Sequence, residues 1–168
     1  MSRTKILDLV NRHPDVIRAV MEGNEQKSDD QKLLTLTVFA GQLAALIRDD
    51  GWSRSHLRRA FGFCTGWLRV LGEEDAVAKI STERDRQERL FLQGKHSFTC
   101  ASRTACVTRK LRILVEEIGE VANAIDQLEI AESRESNALK EWRLNLRMEI
   151  VQVAAVCVAW LESFEVPA

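Results

Sequence analysis

Apolar residues along this chain recur three and four positions apart, and strict alternation is nowhere sustained, so the pattern predicts an all-α fold. Ser2 can cap a short helix ending near Asn11, and Pro14 suits the first turn of another over 15–21, closed by Gly23-Asn24. A longer helix begins at Ser28-Asp29-Asp30. It carries Leu33, Leu36, Phe39, Leu43, Leu46 and Ile47 along one stripe, and Asp49-Asp50-Gly51 ends it. Ser53 starts the next, which buries Leu57, Phe61, Cys64, Trp67, Leu68 and Leu71 before Gly72 stops it. Gly62 and Gly66, one turn apart, fit either close helix packing or a break. A charge-dense helix over 82–93 and a polar loop from Gly94 to Thr99 lead to two long helices, over 108–128 and 136–164.

These last two helices carry the candidate chemistry. The first has an apolar stripe of Leu111, Leu114, Ile118, Val121, Ala122, Ile125 and Leu128, with Glu117 and Glu120 at its edge. The second has Trp142, Leu146, Val153, Val156 and Trp160 in one stripe, and Glu149 falls inside it. Residues three and four apart share a helix face, so Glu117 pairs with Glu120, and Glu149 with Gln152. If the helices pack antiparallel, three carboxylates and an amide oxygen converge. An unpaired carboxylate among apolar groups costs several kcal/mol or takes up a proton, and a bound cation removes that difficulty. A di-iron bundle would need histidines on these helices, but His13, His56 and His96 all lie elsewhere. Oxygen ligands alone suit Mg²⁺, with Mn²⁺ as the alternative, and magnesium held this way most often serves phosphate chemistry.

Composition narrows the partners. Charged residues make up 29% and hydrophobic ones 45% of 168 residues, which fits a globular protein of one compact domain or one domain plus an extension. A formal net charge of -1 gives no global attraction to nucleic acid or an anionic membrane. The four cysteines form no CxxC pair and read as reduced thiols of a cytoplasmic protein. The charged start is not a secretory signal, and the apolar run near 153–161 is far shorter than the ~20 residues a membrane span needs.

Glu116-Glu117-Ile118-Gly119-Glu120, followed after a spacer by Glu149-Ile150-Val151-Gln152, resembles the MazG-like all-α nucleoside triphosphate pyrophosphohydrolases, whose pattern is EExxE, a spacer, then ExxD. The flanking Leu114-Val115 and Val121-Ala122 extend the match. Glu149 to Val156 is similar to a subgroup in which glutamine follows the last glutamate, and Glu83-Arg84-Asp85-Arg86-Gln87 looks like that subgroup's first core helix. The resemblance spans about residues 82 to 164. It implies a MazG-like helical bundle over 79–168, completed by dimerisation or higher homo-oligomerisation. It also implies Mg²⁺-dependent cleavage of a (deoxy)nucleoside triphosphate to the monophosphate and pyrophosphate. Glu117, Glu120, Glu149 and Gln152 would be metal ligands. Glu116 would be an outer-sphere ligand or orient the attacking water, so Glu116 and Glu117 form the catalytic pair. Lys95, His96, Arg109 and Lys110 are candidates to hold the phosphate tail, and Phe98 to stack on a base. Gln152 departs from the usual aspartate and removes one negative charge, which implies weaker metal binding. It also keeps open an alternative, a non-catalytic nucleotide-binding or protein-interaction protein that retains the fold.

Residues 1–78 carry no motif with attached chemistry and are expected to form a helical extension. Those helices pack onto the core or supply a dimer interface. Trp52 to Arg59 is a basic stretch, but the segment's acids balance it, so a nucleic-acid role is not indicated.

Overall fold

A computed structural model describes residues 26–49, 54–134 and 137–164. The two short helices expected before residue 25, and Ser53 as a cap, lie outside the described residues. Within them the chain is all-α, with five helices and no strand: α1 (Asp29–Arg48), α2 (Arg54–Val70), α3 (Ala76–Leu92), α4 (Val107–Ser133) and α5 (Leu139–Glu162).

Local chemistry explains where the helices begin and end. The hydroxyl of Ser28 accepts from the Gln31 backbone N–H, and the Gln31 side chain accepts from the Ser28 N–H, closing a reciprocal cap on α1. Asp29 adds a tertiary tie, since its Oδ1 accepts from both Trp67 Nε1 of α2 (3.0 Å) and Lys32 Nζ (3.1 Å). Gly72 stops α2 in the left-handed region (φ +83°). Its N–H donates to Arg69 O and that of Glu73 to Leu68 O, which satisfies two end carbonyls. Helix α2 runs unbroken through Gly62 and Gly66, both buried. The glycines therefore mark close packing and not a break. Helix α3 starts at Ala76, six residues before the position expected from the pattern, because Ala76, Val77 and Ile80 extend its buried face toward the N-terminus. Glu73, Glu74 and Asp75 precede its first turn, where negative charge is favourable.

Helix α5 is the hub. It packs against α4, α2 and α3, while α1 bridges α2 and α4. Four helices (α1, α2, α5, α4) thus close a ring around one apolar cluster, and α3 lies outside the ring on α5. Every residue from Val153 to Leu161 is buried. By length and composition α5 could cross a membrane, but 67% of its apolar window is buried within the bundle, as expected of a core helix. The 78/79 division drawn from sequence falls inside α3, and the apolar cluster contains Leu36, Phe61 and Trp67 together with Leu114, Ile150 and Trp160. The helices before residue 78 pack onto α4 and α5 and share their core.

Candidate metal centre

Helices α4 and α5 are joined by a short link and packed along their length. Burial of Leu114, Ile118 and Val121 on α4, and of Leu146, Ile150 and Val153 on α5, sets the rotation of each helix. The acids between those positions are carried to the seam. Carboxylate oxygens of Glu117, Glu120 and Glu149 there lie within 4.8 Å of one another. Glu117 and Glu149 are half-buried, whereas Glu120 and Glu116 are exposed.

The electrostatics of the three acids are unbalanced. Burial first, then the charges of Glu120, Glu149, Glu116 and Glu83, push the Glu117 carboxyl up to about 7. Its Oε2 is buried and has no hydrogen-bond partner. Glu149 is also raised, by burial and then by Glu120, while the Gln152 amide pulls it the other way. That amide donates to Glu149 Oε2. The cluster is thus a tri-glutamate site able to hold a divalent cation: one oxygen from each carboxylate at chelating separation, and mutual repulsion that raises Glu117 and Glu149.

Helix α3 contributes a fourth acid that sequence reasoning did not include. Glu83 accepts from Arg86 Nε (2.7 Å) and Nη2 (2.8 Å) and from Gln87 Nε2 (3.1 Å), and its charge acts on both Glu117 and Glu149. The available signal was the spacing of Glu83, Arg86 and Gln87 on one face of a charged helix.

Two cavities flank the acids, and Arg86 and Gln152 line both. The smaller, of about 160 Å³, lies beneath the loop between α3 and α4, where His96, Phe98 and Glu117 reach it. The larger, of about 530 Å³, lies between α3 and the first half of α5. Of the candidate substrate groups, His96 and Phe98 therefore stand beside the acids. Lys95 is exposed on the loop, and Arg109 lays its guanidinium 4.2 Å over the Phe98 ring. Lys110 is buried (2% exposed), and burial lowers its ammonium against an opposing pull from Cys100. Neither cavity is lined by Lys95, Arg109 or Lys110.

No protein-family model, curated protein or solved structure matches this chain.

Proposed function

We propose that this protein is a Mg²⁺-dependent nucleotide pyrophosphohydrolase of MazG-like type, cleaving a nucleoside triphosphate to the monophosphate and pyrophosphate. The observation that carries the reading is the convergence of Glu117, Glu120 and Glu149, of which Glu117 also has a buried carboxylate oxygen without a hydrogen-bond partner. The two-part EExxE and ExxQ pattern on the same two helices supplies the substrate class.

Those three glutamates would hold the metal. When bound, a divalent cation polarises phosphate oxygens and makes a bound water a better nucleophile. The chain's own residues do the rest. Glu116, exposed one position before Glu117, would orient the water and accept its proton. Arg86 stands at the junction of both cavities and can turn from Glu83 to a phosphate oxygen, since guanidinium groups grip both anions in the same forked way. The amide of Gln152 fixes Glu149 by hydrogen bonding. In this role it acts as a positioning donor, with less call on its oxygen as a ligand.

The hydrogen bond from Gln152 to Glu149 also favours the second reading, a nucleotide-binding protein without turnover, because an amide offers less charge to a metal than an aspartate. Pyrophosphate release from a panel of canonical, deoxy and modified triphosphates, with and without Mg²⁺ and with Glu120→Ala as control, separates the two. Mg²⁺-dependent release that Glu120→Ala abolishes supports the enzyme. Nucleotide binding without release across the panel supports the second reading.

A further inference from the structure

The two cavities that meet at Arg86 and Gln152, beside the acids, differ in size and lining. The smaller is about 160 Å³, and the Phe98 ring beside it is already stacked under Arg109. The larger is about 530 Å³, within the roughly 300–1,000 Å³ of pockets that enclose small organic ligands. Its floor is the α5 strip Leu144, Met148 and Val151, residues spaced to share one helix face. Leu144 is 52% and Met148 54% exposed. Methionine moulds to flat or irregular apolar surfaces. The rim carries both signs of charge: Lys79, Arg86 and Arg147, with Glu73 and with Glu83, to which Arg86 is paired. Arg147 donates through Nη2 to the Leu71 carbonyl, while its buried Nε has no partner.

An apolar floor of this size fits the flat apolar body of a ligand, and Arg86, which lines both cavities, stands where that body would join an anionic portion. The order of groups in a nucleoside triphosphate then decides its direction. Cleavage at the acids requires the α-phosphate there, so the nucleoside and the pyrophosphate portion would occupy different cavities of the two. A charged pyrophosphate group would lose hydration on the apolar strip, and a nucleoside exceeds the small cavity. We propose that the cleft between α3 and α5 holds the nucleoside, its base lying on Leu144, Met148 and Val151, with the β- and γ-phosphates in the cavity near His96. This inference rests on the pyrophosphohydrolase reading and deepens it. It reassigns base recognition from Phe98 to α5.

The test uses the full chain with Mg²⁺ and two probes: the α,β-methylene analogues of ATP, GTP, CTP and UTP, and inorganic tripolyphosphate. Affinities are measured calorimetrically for wild type, Met148→Glu and Leu144→Glu. Both altered positions are more than half exposed, and unchanged thermal unfolding verifies the fold. The expected result is a loss of more than about tenfold for the tightest analogue, with tripolyphosphate affinity kept within about twofold. Wild type binding the analogues while neither variant weakens them overturns the cleft assignment and leaves the enzyme reading intact. Wild type binding neither probe overturns both. A glutamate that dissociates an oligomer without changing nucleotide affinity assigns the strip to a second copy of the chain and overturns the proposal.

Discussion

Arg84 of α3 donates through Nε (3.1 Å) and Nη2 (2.8 Å) to one carboxylate oxygen of Glu162 at the end of α5. Arg84 is 1% exposed, and its guanidinium also meets Glu88 at 2.6 Å. It is a charge placed inside an apolar contact, so its counterion is what makes the contact tolerable. Glu162→Ala should cost about 3 kcal/mol of stability, because it leaves a buried cation with one half-exposed partner. Glu88→Ala should cost about 1 kcal/mol or less. Urea unfolding of the two variants checks the difference, and equal losses would contradict it.

Neutralising the candidate metal centre should move stability and binding in opposite directions. Glu117→Gln removes the most burdened of the mutually repelling carboxylates, so the metal-free protein should gain about 1 kcal/mol. The same change should lower Mn²⁺ or Mg²⁺ affinity at least about tenfold, read by calorimetry. A variant that loses stability while keeping its affinity would rule out the cluster as the metal site.

Acidity should act on the same carboxyl with a definite sign. Glu117 is held near 7 in the folded chain against an ordinary value of 4.5, so the folded state binds a proton more tightly than the unfolded one. Its contribution to metal-free stability is therefore fully present below about 4.5, declines as pH rises, and is gone above about 7. Because a metal competes with that proton, cation affinity should fall by about tenfold per pH unit below 7. Thermal melts from pH 5 to 8 with and without Mn²⁺ read both trends. A pH-independent cation affinity would remove Glu117 from the ligand set.

Gln152→Asp tests the departure from the ExxD pattern. The amide now donates to Glu149 and favours its charged form. An aspartate would remove that donor and add a further negative charge. Mg²⁺ binding should tighten several-fold, and the metal-free protein should lose about 1 kcal/mol. Unchanged Mg²⁺ affinity would show that this position lies outside the coordination sphere.

Much of this site is written in local patterns. The Ser28 cap, the Gly72 stop and the apolar stripes of α4 and α5 follow from chemistry within a few residues, and those stripes bring Glu117, Glu120 and Glu149 to one seam. What the pattern does not contain is pairing between distant elements. Glu83 and Arg86 sit on a helix whose charges look solvated in one dimension, and only docking on α5, with Arg84 bonded to Glu162 from 78 positions away, turns them toward the acids. Lys110 shows the converse. A lysine beside an arginine at a helix start reads as surface, yet the rotation that buries Leu114 carries Lys110 inward, while Arg109 stays exposed over Phe98.

The cysteines give the chain a built-in labelling clock. Cys64, Cys100 and Cys157 are buried, and burial drives Cys100 and Cys157 up to about 12 and Cys64 well above its ordinary value. Cys106 is exposed just before α4, and the Thr108 hydroxyl at 2.9 Å lowers its thiol. One thiol should therefore react at once with an alkylating reagent, and the other three only when the bundle opens. Mass spectrometry after timed pulses would count opening events directly, and slower modification of the three in the presence of a cation would report occupancy of the carboxylate seam without any assay of turnover.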